Sequence, residues 1–274
     1  MGLRINTNVS AINTARQLRR STQELNGSLE RLSSGLRINR AADDAAGLAI
    51  AEGFRSQVRG TQVAQRNSQD GVSLVQTAEG ALSETTNILQ RIRELAVQSA
   101  NGTQSTENRA ALDTEVQQLL AQVDDIALDT DFNGIRVLSA AQTVTLQAGA
   151  FTSQVLAVSV TGAKTNDLGI STVSVSNVVQ AVSTISTIDV ALRSINLQRG
   201  NLGAIQNRLE FTINTLGIQE ENAAASESAI RDADIAAETV EFTRNQILVS
   251  AGTSVLAQAR SEERRVGKEC PSPC

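Results

Sequence analysis

From Val75 to Ala96 the apolar positions recur in alternating steps of three and four. The residues are Val75, Ala78, Leu82, Thr85, Leu89, Ile92 and Ala96. That spacing puts all seven on one face of an α-helix. Ala, Leu, Gln, Glu and Arg fill the positions between, and all favour helix. No proline interrupts the run, so the pattern predicts one helix from Ala45 to Asn101, closed by Asn101-Gly102. Such a helix is about 80 Å long. It cannot bury its stripe against itself and needs other long helices beside it.

The remaining segments supply them. Residues 1–36 carry Ile5, Val9 and Ile12, then Leu18, Leu25, Leu29, Leu32 and Leu36. The spacing slips after Ile12, as at a stutter in a coiled coil. Rich in Asn, Ser, Thr and Arg, this segment is expected to order only on meeting a partner helix. Asp43 and Asp44 precede the long helix, where acidic residues suit the positive end of its dipole. A metal or acid–base site there would need a third ligand, and the neighbouring sequence offers none.

A second helix is expected over Thr106–Leu128, with Leu112, Val116, Leu119, Val123 and Ile126 on one face. Asp129, Asp131 and Asn133 before Gly134 imitate the start of a calcium loop, but Ala140 stands where a bidentate Glu belongs. Asn133-Gly134 reads instead as a turn leading into a strand. Within residues 135–175, Val144–Leu146 and Val155–Val160 alternate apolar and small polar residues, which predicts one or two β-hairpins. Helix returns near Ser176, with Val178, Val182, Ile185, Ile188, Leu192, Ile195, Leu202, Leu209, Ile213 and Leu216 as its stripe. Gly217 and the run from Asn222 are expected to loosen it. A last helix is expected over Ile230–Ala259. There Ile235, Phe242, Val249 and Leu256 repeat every seven residues, while Val240, Ile247 and Leu248 lie on another side. A helix apolar on two faces contacts neighbours on two sides.

Composition narrows the chemistry. Of 274 residues only five are Phe, with no Trp and no Tyr, so the cores must be thin. Histidine is absent, which removes imidazole catalysis and His-ligated metals. The two cysteines, Cys270 and Cys274, lie at the extreme C-terminus. A net charge of −5 and the lack of a basic stripe before residue 260 argue against a nucleic-acid partner. No run reads as apolar enough for membrane insertion, and the polar N-terminus lacks the apolar core of a cleavable signal. No nucleophile–base pair, phosphate loop or metal cluster stands out, so no enzymatic activity and no cofactor are expected. The fold class is mainly α: a long antiparallel helical bundle or coiled coil with a small β-hairpin region.

Several ordered motifs carry a resemblance. They are Met1-Gly-Leu-Arg-Ile-Asn-Thr-Asn8, Leu32-Ser-Ser-Gly-Leu-Arg-Ile-Asn39 and Ala41-Ala-Asp-Asp-Ala-Ala-Gly-Leu48. Further along come Gln90-Arg-Ile-Arg-Glu-Leu-Ala-Val97, Phe132-Asn-Gly134 and Leu202-Gly-Ala-Ile-Gln-Asn-Arg208. Ile230-Arg-Asp-Ala-Asp234 and Ala251-Gly-Thr-Ser-Val-Leu-Ala-Gln258 complete the set. The chain so resembles bacterial flagellin, in a minimal form without a large central domain.

The resemblance implies an inner-tube coiled coil from 1–45 with 232–259. It implies an outer-tube bundle from 46–134 and 176–231, with the hairpin region 135–175 beside it. It also implies a helical homopolymer outside the cell that serves swimming motility, built from subunits exported unfolded and added at the distal end. The expected partners are other copies, an export chaperone on the last helix, the flagellar export apparatus, and the filament cap and hook-associated proteins. A host Toll-like receptor of innate immunity is a further one. Arg91, Leu95 and Glu115 match its patch, on a surface that also packs subunit on subunit, with Arg91 and Leu95 off the Leu82/Leu89/Ala96 line. A hook–filament junction protein and a coiled-coil signalling module are the alternative readings.

From Arg260 the sequence departs from the family, and Arg260–Cys270 reads as a translated sequencing adapter. Limited proteolysis is expected to remove 260–274 before any other segment. Its persistence under protease would count against a foreign tail.

Overall fold

The computed structural model describes residues 9–268. Five helices and two small antiparallel sheets follow one another: α1 (Val9–Ser34), α2 (Ala45–Ala100), α3 (Thr106–Asp129), β1 (Asp131–Phe132), β2 (Ile135–Arg136), β3 (Gln142–Gln147), β4 (Val155–Val160), α4 (Val178–Arg231) and α5 (Ile235–Lys268). The described residues form two compact units, one of residues 57–222 and one of 9–56 with 223–268.

The 57–222 unit holds the larger core. All seven residues of the α2 stripe are buried, Thr85 included. Thr85 tolerates this because its hydroxyl donates to the Ala81 carbonyl one turn back, at 3.0 Å. In α4 the buried line is Ala181, Ile188, Ile195, Leu202, Leu209 and Leu216, one residue every seven. Val178 and Val182, expected on that line, are exposed instead. The α2 and α4 helices run antiparallel, as the ion pairs Arg93–Asp189 at 2.8 Å and Glu79–Arg199 at 3.6 Å record. In α3 the fully buried residues are Val116, Leu120, Val123 and Ala127, while Leu112, Leu119 and Ile126 of the expected stripe are half-buried.

The β-rich region holds the hairpin that its alternation predicts, preceded by a shorter pair of strands. Asn133 and Gly134 both adopt positive φ (52° and 78°) in the two-residue turn joining β1 to β2. The Asp131 carboxylate accepts from the Gly134 amide at 3.2 Å, closing that turn. The β3/β4 hairpin pairs Gln142 with Val160 through Gln147 with Val155, and Leu156, Val158 and Val160 face the core. A Cβ on Gly71 would lie 2.3 Å from the Leu146 side chain, so glycine lets the hairpin close on α2.

Residues 161–177 form no strand. They are an irregular strap whose Ala163, Leu168, Ile170, Val173 and Val175 enter the core. Side chains from the helices meet its backbone. Asp124 accepts from the Thr165 amide at 2.8 Å, and Asp113 from that of Val175 at 2.6 Å. Gln117 donates to the Val173 carbonyl at 2.9 Å, and Gln198 to that of Thr161 at 2.7 Å.

The helix ends follow local chemistry. Asp44 accepts from the Gly47 amide at 2.9 Å and caps α2, while Asp43 closes the preceding turn on the Asn39 and Arg40 amides. The Arg40 and then the Asn39 backbone bonds hold Asp43 below the usual carboxylate range. Contrary to expectation, α4 continues unbroken through Gly217 and Asn222 to Arg231, so Ile230 lies in the last turn of α4 rather than opening α5. The break at 232–234 is short because Asp234 accepts from the Ala236 and Ala237 amides and starts α5 directly. The α5 backbone also runs past Ala259.

One 18-residue window of α4 reaches a mean hydropathy of 1.2 with 28% of it buried, which corrects the expectation that no run is apolar enough to span a membrane. Length and composition alone meet that test, because α4 is apolar on its core face and again on its outer one.

Leu89 and Ile92 are fully buried in the α2 core face. Leu89→Ala is therefore expected to destabilise the 57–222 unit by about 2–5 kcal/mol, measured by denaturant unfolding.

Candidate assembly interface

In the unit that holds the chain ends, α1 and α5 lie antiparallel. Arg31 meets Glu238 at 3.3 Å near one end. Further along, Gly252 sits so close to Leu18 that a Cβ there would lie 3.2 Å from its Cδ1. The α1 side of the seam is Leu18, Ser21, Leu25, Ser28 and Leu32, in steps of three and four. On α5 it is Phe242, Asn245, Val249, Gly252 and Leu256 at the same steps. These are the spacings of two helices in a left-handed coil.

The seam is thin. Leu18, Leu25, Leu32, Phe242, Val249 and Leu256 are only half-buried, while the deepest positions are polar: Ser21, Ser28 and Asn245. Asn245 is 4% exposed, and its Oδ1 has no hydrogen-bond partner among the described residues. Ser21 and Ser28 fall between the α1 leucines and Asn245 between Phe242 and Val249, positions that apolar periodicity alone does not mark.

Other terminal residues proposed for the coil lie elsewhere. Val9, Ile12, Leu29 and Ile235 are exposed, and Leu36 belongs to the connection after α1. Ile5 lies outside the described residues. Val240, Ile247, Leu248 and Val255 of α5 are exposed as well. Apolar residues therefore lie outward on both helices while their inner faces pair.

The two connections also pair. Leu36 and Asp232 form an antiparallel bridge, with the Arg37 amide donating to the Arg231 carbonyl at 2.7 Å and Ala233 to Gly35 at 3.0 Å. The Arg37 guanidinium donates to the Ile230 carbonyl, and Arg231 meets Glu52 at 2.9 Å. Ile38 and Ala51 are buried nearby in sequence, so the breaks after α1 and α4 are anchored.

A second candidate surface lies on α2 and α3. Arg91 donates through Nε and Nη2 to Glu115 at 3.1 and 2.9 Å, and through Nη1 to Glu94 at 3.3 Å. The Glu115 hydrogen bond, then that from Glu94, raises the guanidinium above its usual range. Leu95 is 1% exposed and belongs to the core, not to the surface off the core line where its spacing placed it. Because α3 and α4 both pack on α2, the buried arc is wider than one stripe and takes Leu95 in.

Among the described residues no group of three or more acidic or thiol side chains could hold a metal. What the geometry offers is helix surface: a seam that joins the chain ends and apolar residues left outside it. These are features of a structural protein that contacts other chains along its helices.

The comparisons identify which one. The bacterial flagellin N-terminal helical region matches residues 5–143, and the C-terminal helical region matches 185–266. The flagellar filament 33 kDa core protein of Treponema phagedenis is 43% identical, with 96% of this chain and 98% of that protein aligned. The flagellin of Halalkalibacterium halodurans is 45% identical over 96% of this chain and 97% of its own length. For the flagellin of Bacillus subtilis the values are 40%, 96% and 98%. The chain belongs to the bacterial flagellin family: it is a structural subunit of the extracellular flagellar filament, and it has no large central domain.

Asn245→Leu is expected to raise the stability of the α1/α5 pair by about 1–3 kcal/mol, since it removes a buried unpaired oxygen. Hydrogen exchange of the α5 amides would report the gain, and unchanged protection would show that the oxygen is hydrated.

Proposed function

We propose that the subunit leaves the cell unfolded and joins the distal end of a filament, with α1 and α5 completing their order in contact with neighbouring copies. The observation that carries this is the outward placement of Val240 and Ile247, 67% and 62% exposed, on a helix already paired along its other face. Polymerisation would bury those residues and add free energy that a single copy lacks. Before assembly the same surface of α5 suits an export chaperone, which would shield it on the way to the flagellar export apparatus. Filament cap and hook-associated proteins would meet the subunit at the ends of the polymer. The thin, partly polar α1/α5 seam supports the unfolded route, since it costs little to open.

The same reading includes recognition by a host Toll-like receptor. Arg91 and Glu115 offer a hydrogen-bonded polar patch at the surface. Leu95 would act there by seating α2, not by direct contact. Lateral or axial packing on this patch in the filament is compatible with receptor binding to a free subunit.

Ile247→Asp tests the assembly reading. It is expected to abolish elongation from filament seeds in negative-stain images while the circular dichroism of the free subunit stays the same. Filaments of ordinary length and number from this variant would refute the assigned role of the outer α5 face.

A further inference from the structure

The α4 helix has a second apolar line that its own bundle leaves uncovered. Val190, Leu197, Ala204, Phe211 and Ile218 recur every seven residues and are all exposed, Leu197 and Phe211 each to 72%. Each stands two positions after a residue of the buried line, which is about 200° around the helix. So α4 is apolar on opposite faces and is built to pack on both sides.

Around Phe211 the outer face deepens into a groove of about 520 Å³ between α4 and the end of the β3/β4 hairpin. Val155, Leu156 and Leu216 give it apolar walls, and exposed Arg208 adds positive charge. A different cleft, of about 370 Å³, lies between α2 and α3. Its lining includes Glu84, Asp125 and Asp129 around Ala81 and Ile126, and Gly80 leaves space beside it. The two surfaces share no residue, carry opposite charge and both include apolar side chains.

We propose that the α4 groove of one copy docks onto the acidic α2/α3 cleft of the next, Arg208 entering beside Asp125 and Asp129. The inference rests on the filament reading and names a contact surface for it. Two unlike, complementary surfaces make a head-to-tail contact, which repeats without closing. Pairing α4 with α4 about a two-fold axis would join two copies and stop. The apolar line gives the contact its area, and the charges set its partner and register.

Charge reversal in the full chain tests this. One variant is Arg208→Glu; the other combines Asp125→Arg with Asp129→Arg. Each alone is expected to elongate unsubstituted seeds at least about tenfold more slowly at low ionic strength. An equimolar mixture is expected to recover most of the rate, because reversed grooves then meet reversed clefts in alternation. Thermal melts of the free subunits should match the unsubstituted chain, since all three side chains are exposed. Single variants that elongate normally, or a mixture that stays as slow as its components, overturn the docking while leaving the filament reading intact. Failure of the unsubstituted chain itself to elongate would sink both.

Discussion

A helix cannot bury its own stripe. Every feature of this chain follows from that constraint, because its apolar residues are drawn out into lines one or two side chains wide. The α2 line is covered by α3, α4, β4 and the 161–177 strap, and there the core closes. The α1 and α5 lines cover each other only in part. Where a line has no partner within the copy, another copy is the natural source of one, and a subunit with such lines on several sides assembles into a polymer rather than a pair.

The two units meet this constraint in different ways. In the 57–222 unit the buried line of α4 is continuous, from Ala181 to Leu216, and beside it Thr184 and Gln198 donate to the Ser174 and Thr161 carbonyls of the strap. In the other unit, serines and an asparagine replace apolar residues at the deepest seam positions. Burying a polar group without a partner costs free energy. Such a seam gains little stability for its length.

Which stretches form helix, and most of their buried faces, were legible from local pattern. Alternating steps of three and four placed α2 to within a residue, and the acidic pair before it marked its start, whereas the Asp234 cap of α5 went unread and that helix was expected to open at Ile230. Less legible were features whose partners are distant in sequence. The strap at 161–177 carried no local signal of its own, and its backbone bonds go to Asp113, Gln117, Asp124 and Gln198 on the helices. Gly217 looked like a break, but packing on α2 carries α4 straight through it.

By itself the sequence determined which stretches are helix and which side of each is apolar, because both depend on neighbours three and four residues away. It also determined the family, through motifs that are read residue by residue. Only the tertiary structure decided which apolar line is spent inside the copy and which is left outside. Leu95 sits in the core and Phe211 outside it because of where α3, α4 and the β3/β4 hairpin come to rest. That choice depends on contacts between residues far apart in the chain, which periodicity along one helix does not encode.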